Sequence, residues 1–394
     1  MKIIPPAMRE AARLTRAGRL NEATVIIQKF LSGGKKPTSE PMQRHAALER
    51  PILDLVAADI TMAKMDTSPS TPGKDHLATA KSSGDVPPAS PILQTAETVQ
   101  PPRKRAPYNV APERGTFIKQ TYGNSAGTRS FKLYIPSSTE HGPHPLIIML
   151  HGCTQTADDF AAGTRMNFAA EEHACFVAYP EQVFAANPSK CWNWFEGGHQ
   201  VRDRGEPSII AGIVTHIMSN HKIDPRRVYI AGLSAGGAAA AVVAQAYPDV
   251  FAALGVHSGL ACGVARDLPS ALTAMQGRHP PLTPGHTHSI PTIVFHGDQD
   301  KTVHPRNGSD VIKSASAGES YVQEVEKGNV QSGRSYVRSI LREPDGKAMI
   351  EDWVIHGAGH AWSGGNKAGS FTDPLGPDAT REMLRFFLEH QRAP

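Results

Sequence analysis

Cysteine is scarce. The 394 residues contain four, too few to staple a chain of this length, so the fold must rest on a hydrophobic core. Hydrophobic residues make up 40% of the chain, enough to build a large one. No run of 18 or more apolar residues occurs and mean hydropathy is slightly negative, so no membrane span is expected. The opening MKIIPPAMRE also lacks an apolar h-region, with Pro5 and Pro6 standing where one would lie, and no secretory signal is expected. An excess of one charge is missing from the larger part. Residues 1–110 hold 16 Lys and Arg against 10 Asp and Glu; of the totals of 41 and 37, this leaves 25 against 27 for the remainder. That balance argues against a nucleic-acid groove in the larger part.

What is present divides the chain in three. Residues 1–31 predict an amphipathic helix or helical hairpin, with Leu20, Ala23, Ile27 and Leu31 at helical spacing. Residues 32–110 are rich in Pro, Ser and Ala with few aromatics, a composition that cannot bury enough apolar area to offset chain entropy, and they predict a disordered linker. RKR at 103–105 reads as solvated charge. Residues 111–394 predict an α/β domain. TFIKQTY and RSFKLYIP alternate as an antiparallel pair, and PLIIML is a continuous apolar run suited to a strand buried on both faces. Helical stretches then alternate with the strands CFVAYP, VYIAG, FAALGVHSG, TIVFHG and MIEDWVIHG. A helical stretch is predicted over 157–172, and DATREMLRFFLEH is the closing helix. This order predicts a mostly parallel sheet with helices on both faces and chemistry at the carboxyl ends of its strands.

The strand VYIAG runs directly into Leu233-Ser234-Ala235-Gly236-Gly237. G-x-S-x-G between a strand and a helix is the setting of a nucleophile elbow, an α/β-hydrolase device. Glycine at 232 and 236 lets the backbone pass close to its neighbours, and Ser234 is the candidate nucleophile. A serine needs a base, and the base an orienting acid. In the order Ser, acid, His, TIVFHG leads to Asp298 and Asp300, and DWVIHG leads to His360. Asp300 is preferred because it lies further into its loop, whereas Asp298 is placed to bond the turn. His356 ends its strand and reads as structural. The oxyanion donors expected are the N–H of Ala235 and that of Cys153, in the loop His151-Gly152-Cys153-Thr154-Gln155.

The segments LHGCTQTADDF, CWNWF, GLSAGGAAA, FHGDQDKTVHP and GAGHAWSGG with GSFTDPLGPDATREMLRFFLEH together resemble the poly(3-hydroxybutyrate) depolymerase family of esterases. The resemblance spans about 114–390, and feruloyl and acetylxylan esterases carry a similar catalytic domain. It implies a triad of Ser234, Asp300 and His360 with Cys153 and Ala235 as the oxyanion hole. It also implies a Cys153–Cys191 disulfide. Trp192, Trp194 and Trp362 are expected near the cleft mouth, where flat rings could hold the substrate. Cys175 falls in a strand pattern as a buried thiol, and the state of Cys262 stays open.

The expected activity is hydrolysis of short-chain or hydroxyalkanoate-oligomer esters through an acyl-enzyme, without metal or organic cofactor. A feruloyl or acetylxylan esterase is the alternative. An alternative of another class makes the N-terminal segment a partner-binding module on an inactive hydrolase scaffold. The missing signal points to the cytoplasm and the family resemblance to the outside of the cell. Secreted depolymerases that attack solid polymer carry an export signal and a polymer-binding domain, and neither is read here, so a soluble ester is the expected substrate. Oligomeric state is not encoded in any feature read.

Overall fold

A central sheet of ten strands organises the protein, in the order β1-β2-β4-β3-β5-β6-β7-β10-β9-β8. The computed structural model describes residues 109–280 and 290–393. The expectations for 1–31, and for all but the last two residues of 32–110, therefore lie outside the described residues. The strands are β1 (Thr116–Asn124), β2 (Gly127–Ile135), β3 (His144–Leu150), β4 (Phe176–Pro180), β5 (Ile223–Leu233), β6 (Ala253–His257), β7 (Thr292–Gly297), β8 (Val322–Asn329), β9 (Ser335–Arg342) and β10 (Ala348–Ile355). From β4 to β10 all neighbours run parallel, while β1 and β2 at one edge and β9 and β8 at the other are antiparallel. A small parallel ladder joins β11 (Trp362–Ser363) to β12 (Thr372–Asp373).

Among the described residues the helices are α1 (Ala157–Thr164), α2 (Met166–Glu172), α3 (Gly205–Asn220), α4 (Ala235–Ala246), α5 (Leu268–Met275), α6 (Arg306–Ala315) and α7 (Ala379–Leu388). β3, β4, β6 and β7 are buried along their whole length. Their alternate side chains feed two hydrophobic clusters, one on each face of the sheet, as a doubly covered parallel sheet requires. The apolar runs seen in the sequence follow from this double burial. Among the described residues no helix is long and apolar enough to cross a membrane.

The helical stretch 157–172 is two helices, broken where Arg165 takes φ 55°. The Gly163 and Thr164 carbonyls do not extend the helical ladder. They accept hydrogen bonds from Asn366 N and Thr380 Oγ1, so contacts from a distant segment end the first helix. The strands β8 and β9 were not read from the sequence at all. β8 is exposed along nearly its whole length, so its residues carry no burial alternation to detect.

Candidate active site

Four loops meet at the carboxyl ends of adjacent or near-adjacent parallel strands: 151–155 after β3, Ser234 after β5, 298–303 after β7, and the segment from 356 after β10. Ser234 is the turn between β5 and α4 and has φ 58° and ψ −122°. Its N–H is held by His257 O at 2.9 Å. The turn is possible because of the small residues around it: a Cβ at 236 would overlap the carbonyl oxygens of Leu150 and His151, and one at 232 would overlap Gly236 and Leu150 O. A strained serine backbone held this way presents the side chain clear of the sheet.

His360 Nδ1–H donates to Asp300 Oδ2 at 2.7 Å; Asp300 is buried and His360 is partly so. The other carboxylate oxygen accepts from the Thr302 and Val303 N–H groups, each at 2.9 Å. Burial alone would raise the pKa of Asp300. The hydrogen bonds and charge of His296 and His360 outweigh it and hold this carboxyl well below the usual range. Asp298 bonds His356 Nδ1 at 2.9 Å and Gly357 N at 2.8 Å on the exposed side of the same loop. Ser234 and His360 line one cavity of about 160 Å³ with Gly152, Cys153, Thr154, Leu233, Met275, Thr302 and Phe371. No hydrogen bond joins Ser234 Oγ to His360; catalytic bonds of this kind often tighten only with substrate present.

The loop 151–155 is fixed from several directions. Gln155 Oε1 accepts from Gly152 N at 2.9 Å, and its amide nitrogen reaches Asp159 and Ser370. The Thr154 N–H donates to Ser189 O at 2.8 Å, and a disulfide joins Cys153 to Cys191. Neither the Cys153 nor the Ala235 N–H has an acceptor among the described residues. Both are therefore available to an oxyanion, the latter at the first position of α4, where the helix dipole also favours negative charge. Burial lowers the His151 pKa to about 4, so the ring is neutral, with Nδ1–H on Gly152 O and Nε2 accepting from Gln182 N.

The expectation for the tryptophans is corrected. Trp192, Trp194 and Trp362 are 0%, 5% and 1% exposed, and none lines the cavity. A buried indole N–H needs a partner, and Trp192 and Trp362 find theirs deep in the protein. Trp192 Nε1 donates to His151 O at 3.0 Å, and Trp362 Nε1 to Thr380 Oγ1 at 3.0 Å. Trp194 packs edge-on against Phe195. The CWNWF segment thus supports the loop 151–155 from below. Its base is the buried Glu206, which bonds Asn193 N at 2.8 Å, Gln182 and Arg129. Cys175 and Cys262 are free thiols, each pushed up to about 12 by burial. A second hollow of about 50 Å³ beside Cys262 contains none of the predicted site residues.

His257 went unread in the sequence. Its carbonyl holds Ser234 N, and its Nε2 accepts from Ser363 N at 2.9 Å, so it ties the serine turn to the segment that carries His360. Its ring stacks on Trp362, and burial lowers its pKa to about 3, leaving it neutral. Only the apolar strand around it hinted at this burial, and many of the 18 histidines have no such role.

The family model described as esterase PHB depolymerase matches residues 129–315. Feruloyl esterase B of Neurospora crassa is 30% identical over 272 residues, covering 64% of this chain and 86% of that protein. The chain belongs to the PHB depolymerase family of esterases. Poly(3-hydroxyalkanoate) depolymerase C of Paucimonas lemoignei is 32% identical over 254 residues, and that alignment covers 61% of this chain and 60% of the depolymerase's length. Among solved structures, the acetyl xylan esterase from Aspergillus awamori superimposes with a TM-score of 0.54 at 19% identity, covering 70% of this chain and 99% of that one. That likeness gives the fold, an α/β hydrolase.

Proposed function

We propose that this family member is a serine esterase that cleaves short-chain carboxylic esters, soluble hydroxyalkanoate oligomers among them. One observation carries the reading: the Asp300–His360 pair opens onto the same cavity as a strained serine. His360, oriented by Asp300 through Nδ1, takes the proton of Ser234 at Nε2 as Oγ attacks the ester carbonyl. The Cys153 and Ala235 N–H groups receive the tetrahedral oxyanion. His360 then protonates the departing alcohol, and water repeats the sequence on the acyl-enzyme. Asp300 stays ionised throughout and stabilises the imidazolium. The cavity's size supports a small acyl group, since an apolar hollow of about 150 Å³ is known to take a six-carbon ring and this one is about 160 Å³.

The test compares wild type with Ser234→Ala on p-nitrophenyl acetate, butyrate and octanoate, a 3-hydroxybutyrate oligomer and methyl ferulate. A loss of kcat on the order of 10⁶-fold is expected in the variant. Equal inactivity of both proteins on all five would refute the reading. A feruloyl-type activity is the second reading, favoured by the 86% coverage of the Neurospora feruloyl esterase. Preference for methyl ferulate over the hydroxybutyrate oligomer would select it.

A further inference from the structure

Phe371 lines the cavity with its backbone at φ 53°, a conformation that a bulky side chain adopts only when its surroundings impose it. Those surroundings are explicit. On one side, Ser370 N donates to Asp159 Oδ1 at 3.0 Å and Ser370 O accepts from Gln155 Nε2 at 3.1 Å. On the other, Phe371 O accepts from Trp362 N at 2.7 Å, and Thr372 pairs with Trp362 in the small ladder. The residue is therefore clamped between the oxyanion loop's support and the histidine segment. Its ring is half-buried, packed on the core and bordering the cavity.

We propose that Phe371 is a specificity-determining residue: its ring walls off the acyl side of the cavity and limits the ester to short acyl groups. The inference rests on the esterase reading of Ser234. His360 must reach the leaving oxygen, and Asp300 anchors it toward the loop after β7. Phe371 is held by Trp362 on the histidine segment, and through Ser370 by Gln155 and Asp159 beside the loop 151–155, away from Asp300. On that side the ring borders the substituent that stays with the carbonyl. With its backbone pinned on both sides and its side chain packed on the core, the residue is held at the cavity wall.

The test is Phe371→Gly, because glycine takes this φ without penalty and removes the ring alone. kcat/KM is measured for p-nitrophenyl acetate, butyrate, hexanoate and octanoate on wild type, F371G and F371L, the last serving should F371G melt early. The octanoate-to-acetate ratio is expected to rise about tenfold or more in F371G, within the range that one or two methylenes command in an apolar pocket, and less in F371L. An unmoved ratio in an active enzyme would overturn the proposal while leaving the esterase reading intact. So would a shift confined to a series of acetate esters with growing alcohols. Wild type inactive on every ester would remove both.

Discussion

Asp298 and Asp300 lie two residues apart on one loop and meet different histidines. Asp300 is enclosed and gives one oxygen to His360 and the other to two backbone N–H groups, whereas Asp298 faces solvent with His356. Asp300→Asn should therefore cost about 10⁴-fold in kcat, because an amide orients the wrong imidazole tautomer. Asp298→Asn should leave kcat within about tenfold and lower stability by about 1 kcal/mol, the scale of a lost hydrogen bond. Steady-state kinetics and urea melts of the two variants check both; the opposite ranking would make Asp298 the acid. The pairing of Asp300 with His360 was legible because depth into a loop after a parallel strand has a geometric meaning. The tryptophans were misread because residue type says nothing about depth: the same indole suits a cleft wall or a core, and only the partner of its N–H decides.

The loop 151–155 depends on elements that lie far from it in the chain. The Cys153–Cys191 link closes 38 residues, and in the chain-entropy account a link of that span stabilises the fold by about 4 kcal/mol. Cys191→Ser should lower stability by about 2–4 kcal/mol. Because the Cys153 N–H is the proposed oxyanion donor, it should also lower kcat up to about 10²-fold with KM little changed. Thermal melts and kinetics with and without a dithiol reductant measure this; unchanged kcat in the reduced protein would remove the link from catalysis. His257 acts between elements in the same way. His257→Phe removes the acceptor for Ser363 N, and kcat should fall while KM holds, with His257→Gln recovering part of the loss by supplying an amide oxygen. A strand followed by a catalytic loop is legible in sequence. The bonds that hold such loops are not, because Gln155 meets Ser370 across 215 residues.

At the scale of the whole molecule, the buried neutral histidines set the response to acid. His151 and His257 have folded-state pKa values of about 4 and about 3, both lowered mainly by burial. Unfolded, each binds its proton near pH 6.5. Below that pH the unfolded chain therefore holds more protons than the folded one, and stability falls as pH drops. For His151 the loss between pH 6.5 and 4 reaches up to about 3 kcal/mol. Asp300 acts in the same direction at lower pH: its depressed pKa supplies stability above the usual carboxylate range, and this is lost as pH falls beneath it. Melting temperatures from pH 7.5 to 4 should decline steadily below 6.5, and a flat profile would contradict the burial of these rings. The parallel centre of the sheet was legible because strands buried on both faces must be apolar throughout. The β8–β9 hairpin was not, because it is held at its edge by backbone pairing and surface ion pairs such as Arg342–Glu324.

The direction of the strands also divides the molecule's surface into two working ends. Ser234, His360 and the Cys153 and Ala235 N–H groups follow the carboxyl ends of parallel strands, whereas the tight turn 343–347, which leads into β10, emerges at the opposite end. Residues 344–347 of that turn are exposed, and it is closed by its own backbone bonds between Glu343, Gly346 and Lys347. An anchor attached at Asp345 would hold the protein to a bead or electrode with its cavity facing the solution, so immobilised and free protein should turn over ester at the same rate.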